Sequence, residues 1–243
     1  MISVTEQWAQ VAVAGPKSRE LLAEVIDDVS NESFPFMGCG ETSIAGVNGR
    51  LFRISFSGEL AYEIAVPSRY GEALMDELVK RAEAKGGGAY GMEALNVLRI
   101  EKGFLTHAEM DGRVTAADLG MSGMMSKKKD FIGKVSSQRE GLINPMREQL
   151  VGLKPVGPVR QILGGSIMVN VDAEPTRKNM QGHVTSVCYS PTLNGMIALA
   201  FVKGGHTRIG QTIRAVDLLR NLDTLVEIVS PQFHDPAGEK LRG

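Results

Sequence analysis

The side chain with the most chemical promise is Glu63, set in the alternating run Ala61-Tyr62-Glu63-Ile64-Ala65-Val66-Pro67. Strand alternation sends Tyr62 and Ile64 to one face and Ala61, Glu63 and Ala65 to the other. The carboxylate would then stand between two methyl-sized neighbours, with space beside it. A carboxylate drawn out of water needs hydrogen-bond donors, and a planar heterocycle with an amino group beside a ring N–H would supply two at once. From spacing alone, an exposed strand glutamate is the commoner outcome, because Glu is seldom buried. Just upstream, Ser57-Gly58-Glu59 reads as a plain turn. Downstream, Arg99 and Glu101 fall two apart on a helical run, where they do not face one another. Separate structural ion pairs are the default for both.

No nucleophile–base constellation can be assembled, so no catalytic residue is assigned. His107, Glu109 and Asp111 crowd together, but their spacing matches no zinc pattern and a polar loop is the better reading. The two cysteines, Cys39 and Cys188, make neither a metal cluster nor a disulfide framework. Cys188, in an apolar strand, reads as an inert buried thiol, and a reducing, cytoplasmic setting fits the cysteine usage. Neither a GxGxxG run nor a P-loop offers a phosphate cradle. A formal net charge of −1 supplies no global field to draw nucleic acid or an anionic membrane. No apolar run approaches the ~18–20 residues of a membrane span, and Met1-Ile-Ser-Val-Thr-Glu lacks the basic start of a secretory leader.

The elements that must position Glu63 follow from periodicity. Trp8–Ala14 reads as a strand, Gly15-Pro16 as punctuation, and 16–29 as an amphipathic helix. Thr42–Val47 and Arg50–Phe56 read as a hairpin turned at Asn48-Gly49. Ala61–Val66 is a third strand. Leu74, Leu78 and Ala82 stripe a helix that ends at Gly86-Gly87-Gly88, and a further helix spans Met92–Lys102 and stops at Gly103. This order predicts an α+β fold, with an antiparallel sheet carrying helices on one face. Residues 127–148 read as a charged connector. Beyond it, six short β-rich runs separated by turn residues predict a small all-β barrel. The expected domains are 1–140 and 141–243.

Five runs occur in a telling order. They are Gly15-Pro16-Lys17; Ser57-Gly58-Glu59 with Tyr62-Glu63-Ile64; Leu98-Arg99-Ile100-Glu101; Lys129-Asp130-Phe131-Ile132-Gly133-Lys134; and Gly182-His183-Val184-Thr185-Ser186 with Ser190-Pro191-Thr192. Together they resemble the glycine-cleavage aminomethyltransferase family over nearly the whole chain. Lys102-Gly103, Lys127-Lys128-Lys129 and Val229-Ser230-Pro231 with His234-Asp235-Pro236 are closer to its sarcosine oxidase alpha-subunit branch, in that subunit's C-terminal part.

The resemblance implies tetrahydrofolate binding, with Glu63 holding the pterin and Tyr62 and Phe56 lining its pocket. In such an oxidase a flavin of the beta subunit oxidises sarcosine to an imine, and the folate captures the one-carbon unit. Glycine and H2O2 are the other products. FAD, FMN and NAD would belong to the full complex rather than to this chain, and beta, gamma and delta subunits would be its partners. Leu95 stands where the free aminomethyltransferase has an arginine, and Gly123 where it has a tryptophan. Both favour the oxidase branch over a free aminomethyltransferase; a non-catalytic folate-binding or interaction protein of the same superfamily is the third reading, whose iron–sulfur-repair branch Lys102-Gly103-Phe104 disfavours. The family's first third, which carries its catalytic aspartate, has no counterpart here. The resemblance therefore implies a fragment with part of the folate pocket, inactive on its own.

Overall fold

The structure, a computed structural model, describes residues 1–243. The chain forms two compact units, Met1–Leu98 with Asp235–Gly243, and Arg99–His234. Residue 140 lies within the second. No helix is long and apolar enough to cross a membrane.

The first unit is built on a four-stranded sheet. Its strands are β1 (Trp8–Ala14), β2 (Cys39–Ile44), β3 (Val47–Phe52) and β4 (Ala61–Pro67), in the order β1-β4-β3-β2 with every pair antiparallel. Helices α1 (Ser18–Leu22) and α2 (Gly71–Ala84) supply Leu21, Leu22, Leu74 and Leu78 to a core shared with Leu51, Tyr62, Ile64 and Val66 of the sheet. Helices on one sheet face are the predicted arrangement, and Glu63 points away from that core.

Two local expectations change. The helix predicted over 16–29 is α-helical only over Ser18–Leu22, and Ile26 instead bridges to Ile44 of β2. β-branched Ile26 suits that bridge better than another helical turn. The hairpin turns at Ala45-Gly46, both at positive φ (+49° and +81°), not at Asn48-Gly49. Gly49 lies inside β3 because a Cβ there would come within 2.5 Å of Ile44 Cδ1 and 2.7 Å of the Ala65 carbonyl oxygen. The glycine thus serves close packing instead of the turn.

Helix α3 (Met92–Lys102) ends at Gly103 as predicted. The irregular stretch that follows holds only short 3-10 turns and α4 (Glu140–Ile143). Strands β5 (Glu148–Pro155), β6 (Ile167–Val169), β7 (Gly182–Ser190), β8 (Gly195–Lys203), β9 (Thr212–Asp217) and β10 (Leu222–Val229) close into a barrel of order β10-β5-β8-β7-β6-β9. Closure leaves no free strand edge. Small residues, Ala198, Ala200 and Ala215, sit among Val151, Leu153, Val184 and Ile228 in its core. The chain ends in α5 (Glu239–Arg242), within the first unit.

Candidate functional site

The sheet face turned away from the helices carries the candidate site. Glu63 pairs across the ladder with Ala12 of β1 and with Phe52 of β3. Every residue of β4 from Ala61 to Val66 is buried except Glu63. Ala12 and Ala65, which share its face, keep the surface beside the carboxylate low. On the same face Gln10 lies diagonal to Glu63, and its side-chain amide donates to Glu63 Oε2. Arg50 of β3 stacks its guanidinium 4.1 Å from the Trp8 ring centroid. Tyr90 feels the site from the segment before α3: burial, then the nearby Glu63 charge, push its phenol above the ordinary value.

A cavity of about 410 Å³ runs along the β1 edge: Gln10 and Ala12 of the Glu63 face wall it together with Val13, Leu78 and Ala82 of the helix side and with Tyr90, while Glu63 itself does not line it. That volume falls in the ~300–1,000 Å³ span of small-molecule sites. Gln10 both walls this cavity and bonds to Glu63. Sequence reasoning missed Gln10 and Tyr90. Alternation in Trp8–Ala14 separates Gln10 from Val11 and Val13, but only the β1–β4 register brings it to Glu63.

Of the other expected site residues, one sits in the core and one in a loop. Tyr62 does not share the Glu63 face: it is fully buried in the core beneath the sheet. Its hydroxyl accepts a hydrogen bond from Arg19 Nε–H at 2.8 Å, and the Arg53 guanidinium lies 4.9 Å from its ring centroid. Strand alternation is the reason for this correction, since consecutive residues cannot line one face. Phe56 stands 39% exposed in the loop joining β3 and β4.

The remaining polar motifs form structural networks in the second unit. Arg99 pairs with buried Glu109 at 3.2 Å and donates to Ser186 Oγ at 2.8 Å, while Ser186 Oγ–H donates to the other Glu109 oxygen at 2.5 Å. Burial alone would push the Glu109 carboxyl up. Hydrogen bonds from Ser186 and from the Thr106 N–H, with the Arg99 charge, outweigh it and hold the group below its ordinary range. Glu101, also buried, accepts from Ser190 Oγ at 2.5 Å and Thr192 Oγ1 at 3.2 Å. That bond fixes the Ser190-Pro191-Thr192 corner between β7 and β8. Cys188 is buried, and burial pushes its thiol up to about 11, so at neutral pH it is not a nucleophile.

Comparisons with known proteins bear on both units. Residues 1–129 match the family model described as the GCVT N-terminal domain, and residues 148–235 match the glycine cleavage T-protein C-terminal barrel domain. The chain is 46% identical over 245 residues to the sarcosine oxidase subunit alpha of Rhizobium meliloti (strain 1021), a match covering 99% of this chain and 25% of that protein. It is 27% identical over 239 residues to the aminomethyltransferase of Thermoanaerobacter sp. (strain X514), covering 96% of this chain and 61% of that one. Among solved structures, the crystal structure of glycine cleavage system aminomethyltransferase T from Bartonella henselae superposes with a TM-score of 0.77 at 24% identity. That match covers 94% of this chain and 60% of the other, and it shows an aminomethyltransferase-like fold. The chain thus spans about a quarter of the oxidase relative and about three-fifths of the aminomethyltransferases.

Proposed function

The chain belongs to the glycine cleavage T-protein family, and on that footing we propose that it binds a reduced folate on the sheet face carrying Glu63, as the one-carbon acceptor region of a sarcosine oxidase alpha subunit. The observation that carries this reading is Glu63 itself, an open carboxylate in an otherwise buried strand, flanked by alanines and beside a cavity. An ionised carboxylate only accepts hydrogen bonds and has about four lone-pair positions. A pterin edge presents an amino group and a ring N–H side by side, so the two match in number and in plane. Exposed Ala12 leaves a flat ring room to approach, and Phe56 in the loop between β3 and β4 adds apolar surface.

In this reading the chain's residues bind and orient the folate and carry out no redox step. The folate, when bound, supplies the nitrogens that capture the one-carbon unit from the imine formed when a flavin oxidises sarcosine. In the same reading, that flavin and the FAD, FMN and NAD of the assembled oxidase are held by other parts of the complex. The beta, gamma and delta subunits are the partners. Identity of 46% to an oxidase alpha subunit against 27% to an aminomethyltransferase supports the oxidase branch, as do Leu95 and Gly123.

Calorimetric titration of the chain with 5-formyltetrahydrofolate, a stable reduced folate, tests the reading. Wild type is expected to bind, and Glu63→Gln, which keeps the shape and removes the charge, to lose at least roughly ten-fold in affinity. Equal affinity in the two proteins would overturn the role of Glu63.

A further inference from the structure

We infer that Gln10 is a positioning residue for the folate, holding the Glu63 carboxylate in the orientation that receives the heterocycle's two donors. The inference rests on the reading of Glu63 given above. The antiparallel register sets Ala12 opposite Glu63 and Gln10 opposite Ala65. Gln10 is therefore Glu63's diagonal neighbour on the same face, within reach of long side chains. Its amide N–H meets one carboxylate oxygen, Oε2. Oε1 and the other lone pairs stay open to a ligand.

The residue type suits this task. A lysine or arginine at position 10 would form an ion pair and compete for the charge the ligand needs, and an acid would repel it. A neutral amide orients the carboxylate and leaves its charge intact. Without that contact, the half-exposed glutamate would be free to turn through several rotamers, and ordering it would fall on the binding step. Gln10 also walls the cavity along the β1 edge, so the residue that holds the carboxylate touches that space although Glu63 does not line it. Other titratable or charged groups on this face are Tyr90, which feels the Glu63 charge, Arg50, held against Trp8, Glu41, opposite Arg50 on β2, and Cys39, across Phe52 from Glu63.

Gln10 is exposed, so its substitution spares the core. The test titrates 5-formyltetrahydrofolate into wild type, Gln10→Ala, Gln10→Glu and Glu63→Gln between pH 5 and pH 8, with each variant referred to wild type at the same pH. Gln10→Ala is expected to weaken binding roughly three- to ten-fold. Gln10→Glu is expected to lose binding at pH 8 and regain part of it as the pH falls, because two neighbouring carboxylates resist ionising together. A residue that only filled space would not create that pH dependence. If Glu63→Gln loses binding while both Gln10 variants match wild type at every pH, the positioning role is overturned and the folate reading stands. Tighter binding by Gln10→Ala would overturn it too, since the amide would then be a competitor. If Glu63→Gln binds as wild type does, the folate reading itself fails, and this inference with it.

Discussion

Arg53 Nη2–H donates to the Arg242 carbonyl oxygen at 2.9 Å, joining residues 189 positions apart. Its Nη1–H reaches the carbonyls of Leu241 at 3.3 Å and Ala61 at 3.5 Å, and the side chain is fully buried. Burial lowers the guanidinium's pKa from its ordinary value, but arginine keeps its charge in proteins, so a cation clasps the last turn of the chain. Arg53→Ala is expected to cost about 2–4 kcal/mol, from the cavity and the orphaned carbonyls. Arg53→Lys should be little better, because an ammonium cannot fork to several carbonyls at once. Amide hydrogen exchange over Glu239–Gly243 is the readout, and unchanged protection in both variants would exclude the clasp.

Gly49 and Gly46 predict opposite kinds of defect. At Gly49 an added methyl would overlap Ile44 and the Ala65 carbonyl, so Gly49→Ala should destabilise by about 1–3 kcal/mol through overpacking. At Gly46 the space is open and only the positive φ resists a side chain. Gly46→Ala should cost about 1–2 kcal/mol, and Gly46→Asn less, since Asn tolerates that conformation. Denaturant midpoints separate the two: rescue by Asn is expected at position 46 and not at 49.

Acid should weaken the second unit through two buried pairs. Arg147 brackets Asp118 with Nε–H contacts of 3.1 Å to each oxygen and an Nη2–H contact of 2.8 Å, and Thr115 adds N–H and Oγ1–H donors at 2.8 and 2.9 Å. Burial pushes the Asp118 carboxyl up, but these donors outweigh it and hold the group below its ordinary range. Glu109 is held low in the same way. A carboxyl whose folded pKa is depressed stabilises the fold fully above its unfolded value. That stability is lost as the pH falls toward the folded value. The loss should therefore begin below about pH 4.3, near the ordinary Glu and Asp values. Hydrogen exchange of the barrel strands from pH 7 to pH 3 checks this, and Asp118→Asn should flatten part of the dependence while lowering stability at pH 7.

Limited proteolysis addresses the division expected at residue 140. Residues 126–147 are mostly exposed and hold only a 3-10 turn and the four-residue α4. Trypsin, with Lys127 to Lys129, Lys134 and Arg139 available, is expected to cut there first and leave the barrel from β5 onward intact. Early cuts within β5 to β10 would instead show that the barrel does not persist on its own.

How far the sequence could be read varied with the range of the forces involved. All six barrel strands, α3 with its Gly103 stop, and β4 were visible as local patterns of alternation, helical stripe and turn residues. Asn48-Gly49 carries the strongest local turn signal, while the actual turn at Ala45-Gly46 depends on Ile44 and Ala65 packing where Gly49 has no side chain. The apolar stripe over 16–29 overstates α1 because Ile26 is claimed by Ile44 of another strand.

By itself the sequence determined that Glu63 and Tyr62 must part to opposite faces, that an antiparallel sheet with helices precedes a small barrel, and that no metal cluster or nucleophilic dyad is spelled out in the chain. Each follows from the period of a strand or from the residue types present. Tertiary structure alone decided that Glu63 meets Gln10, that Tyr62 belongs to the core with Arg19 and Arg53, and that Arg99 and Glu109 neutralise one another in a buried network. These partners lie far apart along the chain or on separate elements, and no local pattern encodes a strand register or the burial that forces a charge to find its counterpart.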